Sequence, residues 1–411
     1  MREHFIPVRR NELMELLCAE PDLKPEDAVE FRRLGRLLAA HCQFEHYRLL
    51  ERLKSEYAGF DPDSDTRDVL RVGAEERGRQ VVDLLGDFAW VMARANFCRL
   101  SPDQIEVALQ SASPWGLHTE VDFKIFERLT IYVRGDAVDR RPCRRLRRLY
   151  RAEEVDVPVW QRLVMIMKLR DHPRLDPRVR SDKVYLQVFK NIPKVDISML
   201  LPGARVCMSK LDRGKIGFPI LSGLALAVYN IADDILPYLF RTVTNPTMLL
   251  WGLATGAFTY GTRSYYSYLS TRQRYNLNLT QVLYFQNLDT NAGVLFRVLD
   301  EAQEQECREL LLGYYFLWRH AGENGLPDNV LVELIERFVH NRAEAPVSFE
   351  IKDALRKLER HGLLEPARHG CRAVPIAAAI RQLEDAWAGC LHADPANLGR
   401  DRPATMPEFS L

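Results

Sequence analysis

The chain has 411 residues, room for two or three domains of about 100–200 residues each. Hydrophobic residues make up 47% and charged ones 27%, which excludes global disorder; a formal net charge of +1 excludes a whole-chain field that gathers nucleic acid or membrane. Mean hydropathy of −0.24 excludes a polytopic membrane protein but leaves room for one or two spans.

Residues 1–118 read as a helical region. Leu13, Leu16 and Leu17, then Phe31, Leu34, Leu37 and Leu38, then Val81, Leu84, Leu85, Phe88 and Val91 recur at helical spacing. Phe60-Asp-Pro-Asp-Ser-Asp is a polar turn between these helices, and Pro102 after Ser101 suits a first helical turn. From about Val121 the period changes. Phe123, Ile125, Leu129, Ile131 and Val133, with Val157–Met167 and Val184–Phe189, predict a small antiparallel sheet within 119–212, its first strand closed by Gly135.

Residues 213–270 are the most unusual. Ile216 to Ala232 and Thr242 to Thr262 are uncharged runs of 17 and 21 residues. As helices they would reach about 25 and 32 Å against a hydrocarbon core of about 30 Å. Basic residues flank the pair, Lys210, Arg213 and Lys215 before it and Arg263, Arg272 and Arg274 after it, while the turn holds only Arg241. That bias predicts a transmembrane hairpin with both chain ends on the cytoplasmic side, packed through Gly252 and Gly256 and set against a lipid bilayer as partner. A buried helical pair in a soluble core is the alternative.

Residues 271–325 read as amphipathic helices. Leu295, Val298, Leu299, Ala302, Leu310, Leu311 and Tyr314 form one stripe. Residues 326–391 read as a winged-helix-like domain: a helix over Val330–His340, a second over Phe349–His361 capped by Ser348 and ended by Gly362, two short strands, and a closing helix from Ala377. Residues 392–411 are Pro-rich, without period, and expected to be disordered. The fold class expected is α+β and predominantly helical.

Several constellations bear on candidate chemistry. Arg140, Arg141, Arg144, Arg145, Arg147, Arg148 and Arg151 lie within twelve residues without an acid, a contact for anionic lipid or nucleic acid, or else a solvated loop. The candidate recognition helix carries Lys352, Arg356, Lys357 and Arg360 but also Glu350, Asp353 and Glu359. A DNA-reading face is usually cleaner, so a protein partner is preferred there to nucleic acid.

Asp300, Glu301, Glu304, Glu306 and Glu309 crowd one helix, and Asp300 with Glu304 at i,i+4 can seat a metal or an acid/base pair, although Glu304 is also an ordinary i,i+4 partner for Arg308. With Asn287, Asp289 and Asn291, the first three of these form a candidate polar site. His41, Cys42 and His46, and His361, His369 and Cys371, lack the spacing of a zinc site.

No nucleophile–base pair, P-loop or dinucleotide fingerprint is present, so no catalytic residue, metal or cofactor is assigned. The eight cysteines contain no C-x-x-C pair, and Met1-Arg-Glu-His-Phe-Ile-Pro shows no apolar leader core, so the expectation is a reducing, cytoplasm-like compartment.

Several segments together resemble an uncharacterised family, the one that includes the mitochondrial transmembrane protein 143. They are Phe5-Ile-Pro-Val, Tyr57-Ala-Gly-Phe-Asp-Pro-Asp, Tyr132-Val-Arg-Gly, Val188-Phe-Lys-Asn-Ile-Pro, Met199-Leu-Leu-Pro-Gly and Asp212-Arg-Gly-Lys-Ile-Gly, followed by Thr271-Arg-Gln-Arg-Tyr-Asn-Leu-Asn-Leu-Thr, Tyr284-Phe-Gln-Asn-Leu-Asp-Thr-Asn-Ala-Gly-Val-Leu and Asp300-Glu-Ala-Gln-Glu-Gln-Glu. The likeness runs from about residue 1 to 390 and is most specific in its last group. It implies a helical N-terminal region, a transmembrane hairpin and a domain of unknown function, and brings no reaction or substrate. The leading expectation is a membrane-anchored, cytoplasm-facing scaffold or regulatory protein. The alternatives are a soluble winged-helix nucleic-acid binder and, less favoured, a metal-dependent enzyme using the 300–309 carboxylates.

Overall fold

The computed structural model describes residues 5–65, 74–110, 118–144, 152–207, 285–344 and 346–390, with Tyr266 and Gln273 singly. In chain order the first half runs α1 (Arg10–Cys18), α2 (Pro25–Tyr57), α3 (Ala74–Arg94), β1 (Cys98–Arg99), α4 (Pro102–Gln110), β2 (His118–Glu120), β3 (Phe126–Arg144), β4 (Ala152–Leu169), β5 (Val184–Pro193), the single turn α5 (Ile197–Leu200) and β6 (Arg205–Cys207). The second half runs β7 (Asn287–Thr290), α6 (Ala292–His320), α7 (Asp328–Ala343), α8 (Ile351–Arg360), β8 (Leu364–Ala367), β9 (Gly370–Ala373) and α9 (Ile376–Cys390). The fold is α+β and mainly helical, as the periodicity predicts.

The chain divides into two compact units, one from Met1–Cys98 with Asn291–Leu411 and one from Arg99–Thr290. The first unit is built on α6. Phe31, Leu34 and Leu38 of α2 bury against Leu311, Tyr315 and Leu317 of α6, and Phe31 meets Tyr315 edge-on at 5.2 Å and stacks on Trp318 at 6.0 Å. Ala354 and Leu358 of α8 close over Gly313, where a Cβ would stand 3.1 Å from a Leu358 methyl. Such aromatic and aliphatic burial stabilises each side chain by about 1.5–3 kcal/mol.

Helix α8 starts at Ile351 with Glu350 at its N-cap, so Ser348 is not the cap residue the sequence predicts. Gly362 ends the helix at φ +69°, and Leu363 N–H reaches back to the Leu358 carbonyl at 2.9 Å, closing a Schellman turn. β8 and β9 then pair as a hairpin, and Leu326 bridges Cys371 as a third, one-residue strand. The helix, helix and two-stranded hairpin order read from the sequence is therefore present.

The second unit centres on a sheet of order β1-β3-β4-β5-β7, antiparallel from β3 to β7. Ile131, Val133, Leu163, Met165 and Phe189 bury on one face with Ile105 of α4 and Ile197 and Leu200 of α5. Ser101 Oγ accepts from Gln104 N–H at 3.2 Å while Ser101 N–H donates to Gln104 Oε1 at 2.9 Å, the capping box that starts α4 at Pro102. Gly135 does not close its strand: at φ +77° and pressed on the Gln161 side chain it bends β3, which continues in register with β4 as far as Arg144↔Ala152. Beyond Val159↔Pro193 that ribbon has no pairing to β5.

The expected membrane location needs correction. Among the described residues no helix is long and apolar enough to cross a membrane. The segments 216–232 and 242–262 that carried the expectation, with Gly252 and Gly256, lie outside the described residues. The transmembrane hairpin, and the placement of both chain ends on the cytoplasmic side of a bilayer, are withdrawn.

Two glycines test the hairpin and helix geometry. A Cβ at Gly370 (φ +135°) would collide with the Leu326 carbonyl, whereas one at Gly78, inside α3, meets nothing within 4 Å. Gly370→Ala is expected to lower stability by at least about 2 kcal/mol and Gly78→Ala to raise it by about 0.5–1 kcal/mol, read from urea unfolding midpoints.

Candidate functional site

The most unusual chemistry in the first unit is a buried charge network on α6. Continuing the apolar stripe Leu295, Leu299 and Ala302 by steps of three and four residues reaches Glu306 and Glu309. Both carboxylates therefore point inward, 2% and 3% exposed.

Three of the four carboxylate oxygens of the pair meet donors, and the fourth faces His46. Glu306 Oε1 pairs with Arg94 at the end of α3 and lies 3.3 Å from Lys357 Nζ of α8, and its Oε2 lies 3.1 Å from His46 Nε2 of α2. Glu309 Oε2 binds Lys357 Nζ at 2.9 Å, and its Oε1 accepts from Asn96 Nδ2 at 3.1 Å and Gln305 Nε2 at 2.9 Å. Lys357 completes its shell with Asp353 Oδ2 at 2.5 Å. The Arg94 guanidinium also lies over the Trp90 ring, 4.3 Å from its centroid.

An outer layer ties the N-terminal segment to the same helix. Ile6 N–H donates to Gln305 Oε1 at 3.2 Å, and Arg308 Nη1 donates to the Ile6 carbonyl at 2.9 Å. Glu304 faces Arg10 at 3.5 Å and Arg308 at 3.4 Å.

The electrostatics follow from burial set against these partners. Burial raises the Glu306 pKa, but Arg94, Lys357 and His46 outweigh it and hold the carboxyl at about 2. Burial likewise opposes the Lys357 ammonium, and Glu306, Glu309 and Asp353 overcome it, so Lys357 stays charged with its pKa raised. For Glu309 burial wins over Lys357 and the pKa rises. His46 Nδ1–H donates to the Cys42 carbonyl at 2.8 Å, and burial, with Arg94 nearby, pulls the imidazole pKa down against the pull of Glu306.

The network is an electrostatic clamp joining α2, α3, α6 and α8. With Glu306 and Glu309 buried against cations, amides and the His46 ring, it turns neither carboxylate towards solvent. Among the described residues no group of three or more His, Cys, Asp or Glu side chains is placed to hold a metal ion.

The residues singled out in the sequence are scattered. Asp300 is exposed on α6, and partial burial, helped by Glu304 and Glu301, raises its pKa. Glu301, next to it, and Glu304, one turn on, are half-buried. Asn291 is buried at the start of α6 with φ +47°, accepting from Tyr57 Oη at 3.4 Å and donating to Asp63 at 2.5 Å. Asn287 and Asp289 lie on β7 in the other unit, opposite Phe189 and Val188.

Arg140 is 76% exposed on β3, 3.5 Å from Asp156. Arg141 and Arg144 continue that strand. Arg145, Arg147, Arg148 and Arg151 lie outside the described residues. His41 and His46 fall on different faces of α2, as their spacing requires: both are buried, and His41 Nε2 lies 2.8 Å from the Leu383 carbonyl of α9. Lys357 is a correction: counted with the basic face of α8, it is 5% exposed and turned inward. Its phase with Ala354 and Leu358 was the available signal.

Residues 126–293 match the family described as Protein of unknown function (DUF3754). No solved structure matches the chain. The match covers β3 to β7 of the second unit's sheet, not β1, and stops at the first residues of α6.

Removing one partner strands the others in a dry site. Lys357→Met is expected to cost about 3–5 kcal/mol, with partial recovery in Lys357→Met/Glu309→Leu, both read from urea unfolding. Glu306, depressed from its ordinary 4.5 to about 2, contributes stability that is full above about 4.5 and lost as pH falls towards 2. His46, lowered from 6.5, acts in the same direction, beginning below that value, whereas Glu309, raised, loses its contribution as pH rises through its folded value. Melting temperature should therefore drop on the acid side, and Glu306→Gln should lower the neutral plateau while flattening that drop.

Proposed function

We propose that the protein acts by binding, as a scaffold or regulatory protein whose C-terminal winged-helix-like unit takes a protein partner. The observation that carries this is the inward turn of Lys357. Helix α8 is held to α6 through that ammonium and through Leu358, so its outer face is fixed in place. That face presents Lys352, Arg356 and Arg360 interleaved with Glu350 and Glu359, all exposed, and Arg356 is partly engaged by Asp353 at 3.2 Å.

A surface of alternating sign suits a partner that is itself of mixed charge, and like-charge juxtaposition rejects wrong ones. Phosphate-rich nucleic acid favours an unbroken cationic face, which Glu350 and Glu359 interrupt. The bridge of Leu326 to Cys371 supports the winged-helix reading by laying a one-residue strand beside the β8–β9 hairpin. Kinship with the family that includes transmembrane protein 143 is proposed on the segments quoted above and carries no location with it.

A photo-crosslinking amino acid at position 356 tests the reading in cells. The expected result is a discrete protein adduct that Lys352→Glu/Arg360→Glu abolishes while the melting temperature stays unchanged. No adduct, together with salt-dependent binding of duplex DNA by the purified chain, would replace this reading with the nucleic-acid one.

A further inference from the structure

We propose that a cleft in the first unit, between α1 and α2 over Leu311 of α6, binds a small amphipathic anion, an apolar chain ending in a carboxylate or phosphate. The cleft has a volume of about 500 Å³, within the range of about 300–1,000 Å³ typical of small-molecule sites. Met14, Val29, Ala39, Ala40 and Leu311 give it an apolar lining. Three guanidiniums, Arg10, Arg32 and Arg36, stand against the single carboxylate Glu15, and the amides of Asn11 and Gln43 add hydrogen-bond donors.

The cations are not equivalent. Arg32 is held by Glu15 through two hydrogen bonds of 3.2 and 2.8 Å, and Arg10 lies 3.5 Å from Glu304. Arg36 is exposed and has no ion pair among the described residues, so it is the charge available to a ligand. A guanidinium reads a planar carboxylate or a phosphate through its fork, while the apolar floor of Met14, Val29 and Leu311 accepts the chain. A smaller cavity of about 280 Å³ adjoins, sharing Arg10 and Asn11, but there Arg9 and Arg10 are balanced by Glu12 and Glu304, so the excess of cations is confined to the larger cleft.

The floor also supplies a handle for testing. Gly35 of α2 lets the end of Met14 lie across it, and a Cβ there would collide with the Met14 methyl and stand 3.2 Å from a Leu311 methyl. Gly35→Ala is favourable for the helix itself and displaces the flexible end of Met14 into the cleft.

Isothermal titration of the full chain with decanoate, decyl phosphate and decanol reads the proposal directly. Saturable one-to-one binding is expected for either anion or both, the tighter of the two identifying the head group, and at least about tenfold weaker binding for the neutral alcohol. Arg36→Gln should weaken the bound anion about tenfold or more and Gly35→Ala should remove it, each with an unchanged melting temperature in the absence of ligand. Absence of saturable binding by both anions, equal binding of decanol, or full affinity in Arg36→Gln would overturn the proposal. The exposed position of Arg36 keeps that arm readable if Gly35→Ala fails to fold.

Discussion

A single ammonium held between carboxylates is the constraint on which the first unit depends. Lys357 leaves water to meet Glu306, Glu309 and Asp353, and Glu306 in turn pairs with Arg94 of α3 and lies against the His46 ring of α2. Apolar packing alone would tolerate sliding of these helices by a fraction of a turn, because aliphatic contact is non-directional. Ion pairs in a dry interior do not, since a displaced partner leaves a desolvated charge. The rotation of α8, and with it the set of side chains shown to solvent, follows from that choice of partners. Such a clamp serves geometry more than net stability, as replacing buried pairs by well-packed apolar residues is frequently neutral.

Periodicity made most of the fold legible. The i,i+3/i+4 recurrence of Phe31, Leu34 and Leu38, the switch to alternation after Val121, and the turn chemistry of Gly362 each reflect local physics that a window of residues contains. The site was less legible because its meaning is non-local. Glu306 and Glu309 read as one more pair of acids in an acidic helix until α3 and α8 bring cations to them from residues 94 and 357. Their phase on the apolar stripe was visible; the compensating charges were not. Gly135 misleads for a related reason: glycine is a stop signal in isolation, but in a ribbon with a paired neighbour it supplies a bend and the strand continues.

The two units solve the problem of covering apolar surface differently. The second relies chiefly on its five-stranded sheet, with β3 and β4 forming the longest ribbon and small helices closing one face, beside a short β2–β6 pair. The first threads a 29-residue helix through its middle, so that nearly every other element finds its apolar partner on α6. The match to the family of unknown function spans β3 to β7 of that sheet and ends where α6 begins.

The first unit is also split in sequence, its halves being residues 1–98 and 291–411. As the chain leaves the ribosome, α1, α2 and α3 emerge nearly two hundred residues ahead of the helix that covers Phe31, Leu34 and Leu38. At about 5–20 residues per second that is an interval of roughly 10–40 seconds in which those side chains have no native cover. The sheet unit, contiguous from Arg99 to Thr290, can complete its own pairing within that interval. Synthesis therefore orders the assembly: the contiguous unit can pair its strands first, and the unit split in sequence completes its core last.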